Sequence, residues 1–548
     1  MKNYLLIILC IFSLSTSTYS QNTEWAIRSG GDYYDQIHQM VKDDAGNLYV
    51  LGENSANAQF GNISTSNAGR FLAKLDSSGN YLFVIEFDSI YSHTLCINSS
   101  NQILIVGSAT GSDVGGTPIT YISSGLSVGF AALYDTSGTQ LWLTQFDNYG
   151  FFGAPTGTYA SDFVIAGSLP SNGSIGAFNF TNSEPNTFLA KINSAGVITS
   201  AALIGSNNLS SPEIVSDASG NIFVNNRYYY NTTLANGQTL VPNYGTEGYY
   251  ILKCDPAFNI IWTIHGQGLS DANYFGGVSS MTVLANQNLV VTGSFIDSTQ
   301  FGNDTIINSS INIHTTFVIA IDPSSNIQWI SLSSIDCPVL VQSVDQTGFY
   351  LTGTPMNATS FMIDGLPLSA TPGYVAMYMV KYSNAGIPLW GKVIDSKHMG
   401  GHCCESITSI VKGNSDELYI AGFYYEVAIF DAITLPCYMN GTLCGPYEAF
   451  VAKFGNIPLG LESEMSLEPH PIIYPNPTNG TFHIELAKDN SDVCNANIYD
   501  LSGRQVMQRQ FNTSQTEFDL TKLKDGIYFI QIQNDGKTFN QKIIKITR

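Results

Sequence analysis

Residues 70–83 read Arg70-Phe71-Leu72-Ala73-Lys74-Leu75-Asp76-Ser77-Ser78-Gly79-Asn80-Tyr81-Leu82-Phe83. An aromatic-led apolar run ends in Lys, a turn rich in Asp, Ser and Gly follows, and a second β-prone run begins. Asx-type bonding and glycine's access to positive φ suit such turns, so the stretch predicts two tightly joined antiparallel strands. The first part recurs seven times, at Phe71, Phe130, Phe188, Tyr250, Phe317, Tyr378 and Phe450, spaced 59, 58, 62, 67, 61 and 72 residues apart. A β-rich run ending in glycine precedes it at Gly52, Gly107, Gly167, Gly293, Gly353 and Gly422, with Asn225 standing in for the missing one. The strand after the tight turn often carries tryptophan, as at Trp142, Trp262, Trp329 and Trp390, with Phe83 and Thr199 at equivalent places.

This last strand is absent after the seventh Lys motif, which runs out at Phe454-Gly455, while an orphan copy, Glu24-Trp25-Ala26-Ile27-Arg28, stands near the other end. A circular array whose final unit is completed by the N-terminal strand accounts for both, and it removes the edges a linear array would expose. The expectation is an all-β fold: a seven-bladed β-propeller over residues 21–455, four strands per blade, closed by the N-terminal strand. In the first unit the strands are expected at 37–42, 47–52, 70–75 and 81–87. Antiparallel order then places both tight turns of a blade on one face. The long loops between second and third strands share the other face with the crossings between blades, and a binding surface is expected there.

Composition narrows the function. Of 548 residues only 12% are charged, and the formal charge is −21. Residues 3–470 hold 12 basic against 35 acidic side chains, which disfavours a phosphate backbone as partner. Between 21 and 455 there are three Arg and nine Lys, five of the Lys being the repeat position itself. Sites for anions are built from Arg forks, so uronic acids and nucleic acid are poor candidates.

The first twenty residues place Lys2 before the apolar run Leu5 to Phe12, with Thr18 and Ser20 ahead of Gln21, the pattern of a secretory signal peptide over 1–20. No other stretch approaches the length of a membrane span, so no transmembrane segment is expected in the mature chain. The destination is oxidising, which favours disulfides among Cys403, Cys404, Cys437 and Cys444, assigned to loops of the seventh blade on one face. Unpaired thiols, or a zinc site with His398 and His402, are the alternatives, and no C-x₂-C spacing supports zinc. Cys96, Cys254, Cys337 and Cys494 read as buried small hydrophobes. Gly125-Leu126-Ser127-Val128-Gly129 matches a nucleophile elbow in letters alone, because it runs into a strand rather than a helix.

The crossings between blades carry a recurrent acid: Asp32 and Asp35, Asp88, Asp147, Asp271, Asp336 and Asp395. They also carry Tyr33, Tyr34, Tyr91, Tyr149, Phe151, Phe152, Tyr274 and Phe275. The candidate ligand face is Asp32, Tyr33, Tyr34, Asp88, Asp147, Phe151, Asp271, Tyr274 and Asp395, where rings can stack on sugars and acids can help hold calcium, the one cofactor these loops suggest. The plainer reading is that Asp starts turns and Tyr packs between blades.

A linker over 456–470 precedes a different object. Residues 471–548 carry nine Lys/Arg against eight Asp/Glu, and their alternating strands with Asn-Gly and Ser-Gly turns predict a small Ig-like β-sandwich. Tyr474-Pro475-Asn476-Pro477 with Gly480, the stretch Ile498-Tyr499-Asp500-Leu501-Ser502-Gly503-Arg504, the turn Asp525-Gly526-Ile527-Tyr528 and a final strand with Lys542 and Lys545 resemble the type A C-terminal sorting domain of the type IX secretion system. That resemblance implies type IX machinery as a partner, export across the outer membrane, and removal of the tail with release or attachment at the cell surface. More loosely, Gly46-Asn47-Leu48-Tyr49-Val50-Leu51-Gly52, the Phe-x-Ala-Lys runs and Gln59-Phe60-Gly61-Asn62 resemble bacterial SBBP-type propeller repeats. The leading functional expectation is a secreted, non-catalytic binding or adhesion module for a glycan or surface protein. A surface structural protein, and a hydrolase of neutral glycans using paired loop carboxylates, are the alternatives.

Overall fold

A computed structural model describes residues 22–455 and 472–545. It omits 88–89, 111–112, 121–127, 147–155, 160–161, 207–211, 243–247, 269–276, 297, 303, 308–313, 334–337, 356–359, 373, 398–404, 414–416, 438, 441–442, 445–446, 475–477, 486–493, 501–503, 513–514 and 535–536. The signal peptide and linker expectations lie outside the described residues. The chain divides into two units, 1–458 and 459–548.

Every named element of the first unit is a strand, and the arrangement is propeller-like. Six antiparallel four-stranded arrangements follow one another in chain order, beginning with Gln36–Lys42, Leu48–Asn54, Gly69–Leu75 and Tyr81–Phe87. A seventh combines Ser406–Lys412, Leu418–Tyr424 and Glu448–Gly455 with the N-terminal strand Asn22–Ser29. In that pairing Ala26 lies opposite Ala452 and Ile27 opposite Val451. Each interface between consecutive sheets holds its own apolar core. The last one joins Tyr419, Ala421 and Val451 of the seventh sheet to Ile37, Val50 and Phe71 of the first.

Burial on both faces explains why the second and third strands read as unbroken apolar runs. Leu48 through Leu51 and Phe71 through Ala73 are all buried, whereas the outer strand Tyr81–Phe87 is mostly half-exposed. The repeat landmarks meet across these strands. Gly52 pairs with Phe71, Gly293 with Phe317 and Gly422 with Phe450. A Cβ on Gly52 would stand 2.2 Å from the Gln36 carbonyl, and one on Gly422 1.9 Å from that of Ser406. Glycine is therefore required where the bulged innermost strand passes closest. In the fourth sheet the register corrects the sequence reading by one residue. Tyr250 pairs with Asn226, not Asn225, so Asn226 takes the glycine position, and its amide donates to Thr187 Oγ1.

The repeated Lys is a packing residue. Lys74, Lys253, Lys381 and Lys453 each lie over the ring of their cross-strand partner, Tyr49, Phe223, Tyr350 and Tyr419, with Nζ 4.5–5.8 Å from the ring centroid. Acids of the neighbouring turn complete three of these, Asp217 at 3.5 Å, Asp345 at 2.9 Å and Glu417 at 2.7 Å. Where the Lys is replaced by Leu133 or Ala320, the partner is the aliphatic Leu104 or Val290. Lys191 departs from both patterns: its cross-strand partner is the aliphatic Val164, and its Nζ lies 5.8 Å from the Phe258 ring centroid instead.

Outer-strand tryptophans join three of the sheets to the next one. Trp25, Trp142 and Trp262 donate from Nε1 to the carbonyls of Ser77, Ser194 and Pro323 in the following sheet's tight turn, at 3.3, 2.8 and 3.0 Å. The turn glycines Gly79 and Gly196, at φ +86° and +79°, leave room for Trp25 and Trp142. The Trp25 contact, from the seventh sheet to the first, is the same contact as the others. Innermost strands are latched as well. Gln39 accepts from Leu95 N at 2.6 Å, Gln342 from Ile410 N at 3.2 Å, and Ser409 Oγ from Met40 N at 3.1 Å.

One latch is a carboxylate. Glu213 Oε1 accepts from Met281 N at 3.1 Å, and loss of hydration lifts the Glu213 carboxyl to about 7, against the bonds from Met281 and Asn225 that favour its ionised form. A folded-state value above the unfolded one means that the native chain holds the extra proton, so its stabilising effect is present below about pH 4.5 and is lost as pH rises towards 7. Glu213→Gln keeps an acceptor like those of Gln39 and Gln342 without a charge. Urea titrations of the variant should lose the decline between pH 4.5 and 7 and show about 1–3 kcal/mol more stability than wild type at pH 8. Parallel pH profiles for the two proteins would contradict this.

The second unit has a three-stranded sheet, Ile472–Tyr474, Thr481–Glu485 and Gln515–Asp519, and a four-stranded sheet of Gln505–Phe511, Cys494–Asp500, Gly526–Asn534 and Lys537–Lys545. Phe482, Ile484 and Phe518 from the first pack with Ile498, Ile530 and Ile543 from the second in one core.

Candidate functional site

The outer strand Asn22–Ser29 of the seventh sheet and the innermost strand Gln36–Lys42 of the first are joined by Gly30-Gly31-Asp32-Tyr33-Tyr34-Asp35. This crossing is fixed from both sides. Buried Asp35 accepts from Gly31 N at 2.8 Å and from Ser55 N at 2.7 Å. Burial raises its carboxyl above the usual range, while the Gly31 and Ser55 donors and the Arg28 charge pull the other way. Asp32 N donates to Ala56 O at 3.0 Å, Tyr33 N to Ser55 Oγ at 2.9 Å, and Asp35 N to Tyr447 O at 3.2 Å. A Cβ on Gly31 would stand 2.2 Å from the Ala56 carbonyl, so the close approach requires glycine.

The result is a rigid backbone presenting two exposed rings, Tyr33 at 59% and Tyr34 at 45%. They meet edge to face at 4.6 Å, and Tyr34 continues to Tyr447 at 5.1 Å. Phe423 and Tyr425 complete the cluster around Tyr447 at 5.4 and 6.1 Å. Sequence reasoning named Tyr33 and Tyr34 and missed Tyr447, Tyr425 and Phe423. They come from the end of Leu418–Tyr424 and the start of Glu448–Gly455, and the pairing of Asn22–Ser29 with Glu448–Gly455 brings them near. At the rim, Asn57 Nδ2 donates to Asp32 Oδ2 at 2.7 Å, and Lys397 faces Glu426 at 3.9 Å. Beneath, Arg28 pairs with fully buried Glu448 at 3.0 Å.

Of the other expected ligand residues, Asp395 is the one among the described residues. Asp395 lies within the strand Pro388–Lys397, not in a loop, and its carboxylate accepts from Thr371 N at 3.0 Å and from the Thr371 hydroxyl. Asp88, Asp147, Phe151, Asp271 and Tyr274 lie outside the described residues, as do Cys403 and Cys404. Cys437 is buried and disulfide-bonded. Cys444 lies in the short strand Leu443–Cys444, opposite Met439. Cys96 and Cys254 are buried thiols whose pKa burial raises, to about 12 for Cys254, and Cys494 is buried at the start of its strand.

In the tail, the Asp500 carboxylate accepts from Arg504 backbone N at 3.1 Å and from its Nε at 3.0 Å. Gly480, at φ +128°, closes against Thr521, and Leu520 N donates to its carbonyl at 2.6 Å. Lys545 pairs with Asp525 at 2.7 Å, next to Gly526, and Lys542 lies opposite Phe529. Tyr474 is in a strand, while Pro475, Asn476, Pro477 and Gly503 lie outside the described residues.

Residues 472–546 match the secretion system C-terminal sorting domain. The protein therefore carries the export signal of the type IX system, whose substrates reach the cell surface or are secreted. A comparison with curated proteins finds no match. Among solved structures the chain is similar to PorZ of Porphyromonas gingivalis, described as an essential bacterial surface component of the type IX secretion system (10% identity, 93% of this chain and 81% of that, TM-score 0.27). It is also similar to the hydrazine synthase of Kuenenia stuttgartiensis (7% identity, 72% and 96%, TM-score 0.38) and the virginiamycin B lyase of Staphylococcus aureus (8%, 78% and 98%, TM-score 0.34). Likenesses this distant carry no argument about this chain. Among the described residues no helix is long and apolar enough to cross a membrane.

The Asp35 bonds generate a prediction. In the variant Asp35→Asn the amide must point its NH₂ at one of the two backbone donors, so the substitution should cost about 1–3 kcal/mol in urea unfolding and speed amide exchange at Gly31 or Ser55. Unchanged stability and exchange would show that the crossing does not depend on this carboxylate.

Proposed function

We propose that this protein is a surface-delivered, non-catalytic binding module: a closed seven-bladed propeller of SBBP-like repeats over residues 21–455, exported through the tail at 471–548. The seventh sheet's use of the N-terminal strand and the core shared by the seventh and first sheets support closure. The observation that carries the binding reading is the exposed tyrosine pair on a crossing whose backbone is tied on both sides. Exposed rings on a fixed frame lose little freedom on contact, which favours recognition. Asp35 and Asp395, two of the acids a hydrolase would draw on, are committed to backbone and threonine donors, which weakens the catalytic alternative. The disulfide at Cys437 supports cross-linking among Cys403, Cys404, Cys437 and Cys444, holding the seventh sheet's loops.

Cells producing the chain without residues 471–548 test the reading. The truncated protein should accumulate in the periplasm, and those cells should lose the saturable attachment to polysaccharide- or protein-coated surfaces that the intact chain confers. Attachment equal to that of intact cells would overturn the binding role. New reducing ends released from the coating would replace it with the hydrolase.

A further inference from the structure

We infer that the tyrosine cluster between the first and seventh sheets is a binding site for a neutral glycan chain, with one exposed sugar ring stacking on the face of one of Tyr33 and Tyr34 and meeting the edge of the other. The inference rests on the proposed binding role and adds the place and the ligand class.

Three features of the cluster select the ligand. The first is the pair of rings: Tyr33 and Tyr34 are 59% and 45% exposed, and their 82° interplanar angle turns their faces in different directions. One ring face set beside a perpendicular edge suits a ligand that is apolar on one side and hydroxylated around its rim. A pyranose has this character, with axial C–H bonds against an aromatic face and hydroxyls pointing outwards. The second is the polar rim. Asp32 and Asn57 hold each other at 2.7 Å and present a carboxylate and an amide beside the rings, an acceptor and a donor for hydroxyl groups.

The third is charge. Arg28 is taken up by Glu448, and Lys397 faces Glu426, while Asp32 adds a negative charge at the rim. Among the described residues an anionic sugar would meet that negative charge and no Arg fork, so a neutral chain is selected. Rigidity adds to this. Bonds to Ala56 O, Ser55 Oγ and Tyr447 O hold the backbone on either side of the rings, so binding need not order the loop. Tyr229 and Tyr230, exposed at 52% and 72%, provide a control pair elsewhere in the same chain.

The test is native affinity electrophoresis of the full chain through gels containing a soluble neutral β-glucan, xylan or galactomannan, with polygalacturonate as the anionic comparison. Retardation by at least one neutral polymer and none by polygalacturonate is expected. The double variant Tyr33→Ala with Tyr34→Ala should weaken that retardation at least tenfold, with an unchanged melting temperature. The double Phe variant should retain most of it, because the faces remain. Tyr229→Ala with Tyr230→Ala should migrate as wild type does.

Retardation that survives the Tyr33/Tyr34 alanine variant, or falls equally in the Tyr229/Tyr230 variant, overturns the site and leaves the binding role standing. No retardation by any neutral polymer, with saturable capture on protein-coated surfaces, overturns the ligand class and again leaves the binding role standing. The absence of saturable binding to both classes of surface overturns the binding role itself.

Discussion

The pairing of Asn22–Ser29 with Glu448–Gly455 is the constraint on which the first unit depends. Without it the seventh sheet would end in an open edge of unpaired amide and carbonyl groups, and Trp25 would have no place over Gly79. With it, the first and last parts of the unit share an apolar core like those between the other sheets. The contact also spans most of the sequence, so its loop-closure entropy must be offset by every interface in the series rather than by local structure. The inner latch through Ser409 and Met40 and the outer one through Trp25 and Ser77 act at the same seam from opposite ends of the radius.

Repetition and function separate along the chain. The most repeated side chains are consumed by packing: glycine opposite the bulge, its aromatic partner, Lys over a ring, and tryptophan over the next turn. What differs between copies is where chemistry can be carried. The crossing at Gly30 to Asp35 joins the N-terminal strand, paired in the seventh sheet, to the first strand of the first sheet. Its rings are completed by Tyr447 from the other end of the unit, so the proposed site exists only when the two ends are paired. Assembly of the fold and assembly of the site are then one event.

Much of the scaffold could be read from residues because its signals are local and repeated. The outer strand expected at 81–87 is the strand Tyr81–Phe87, and the orphan Trp25 lies in the strand that pairs with Glu448–Gly455. The expectation for the first strands missed by a residue or two, since strand ends depend on hydrogen bonds rather than composition. Asn225 was mistaken for its neighbour Asn226 because a one-residue shift is invisible without the partner strand. The site was legible only in part. A loop's letters show that acids and rings are present but not which way they face. Asp35 and Asp395 therefore read like Asp32, although Asp35 is buried against backbone donors and Asp395 is held in a strand by Thr371. Tyr425 and Tyr447 were silent because nothing local ties them to Tyr34.

Hydrogen exchange across the N-terminal strand tests the central claim most directly, because protection reports the free energy of opening each segment. If Asn22–Ser29 closes the seventh sheet, its ladder amides exchange as slowly as those of Leu418–Tyr424 in the same sheet. Exchange of 22–29 at the rate of an unstructured chain, beside protected amides in 418–424, would contradict closure and the seam site together.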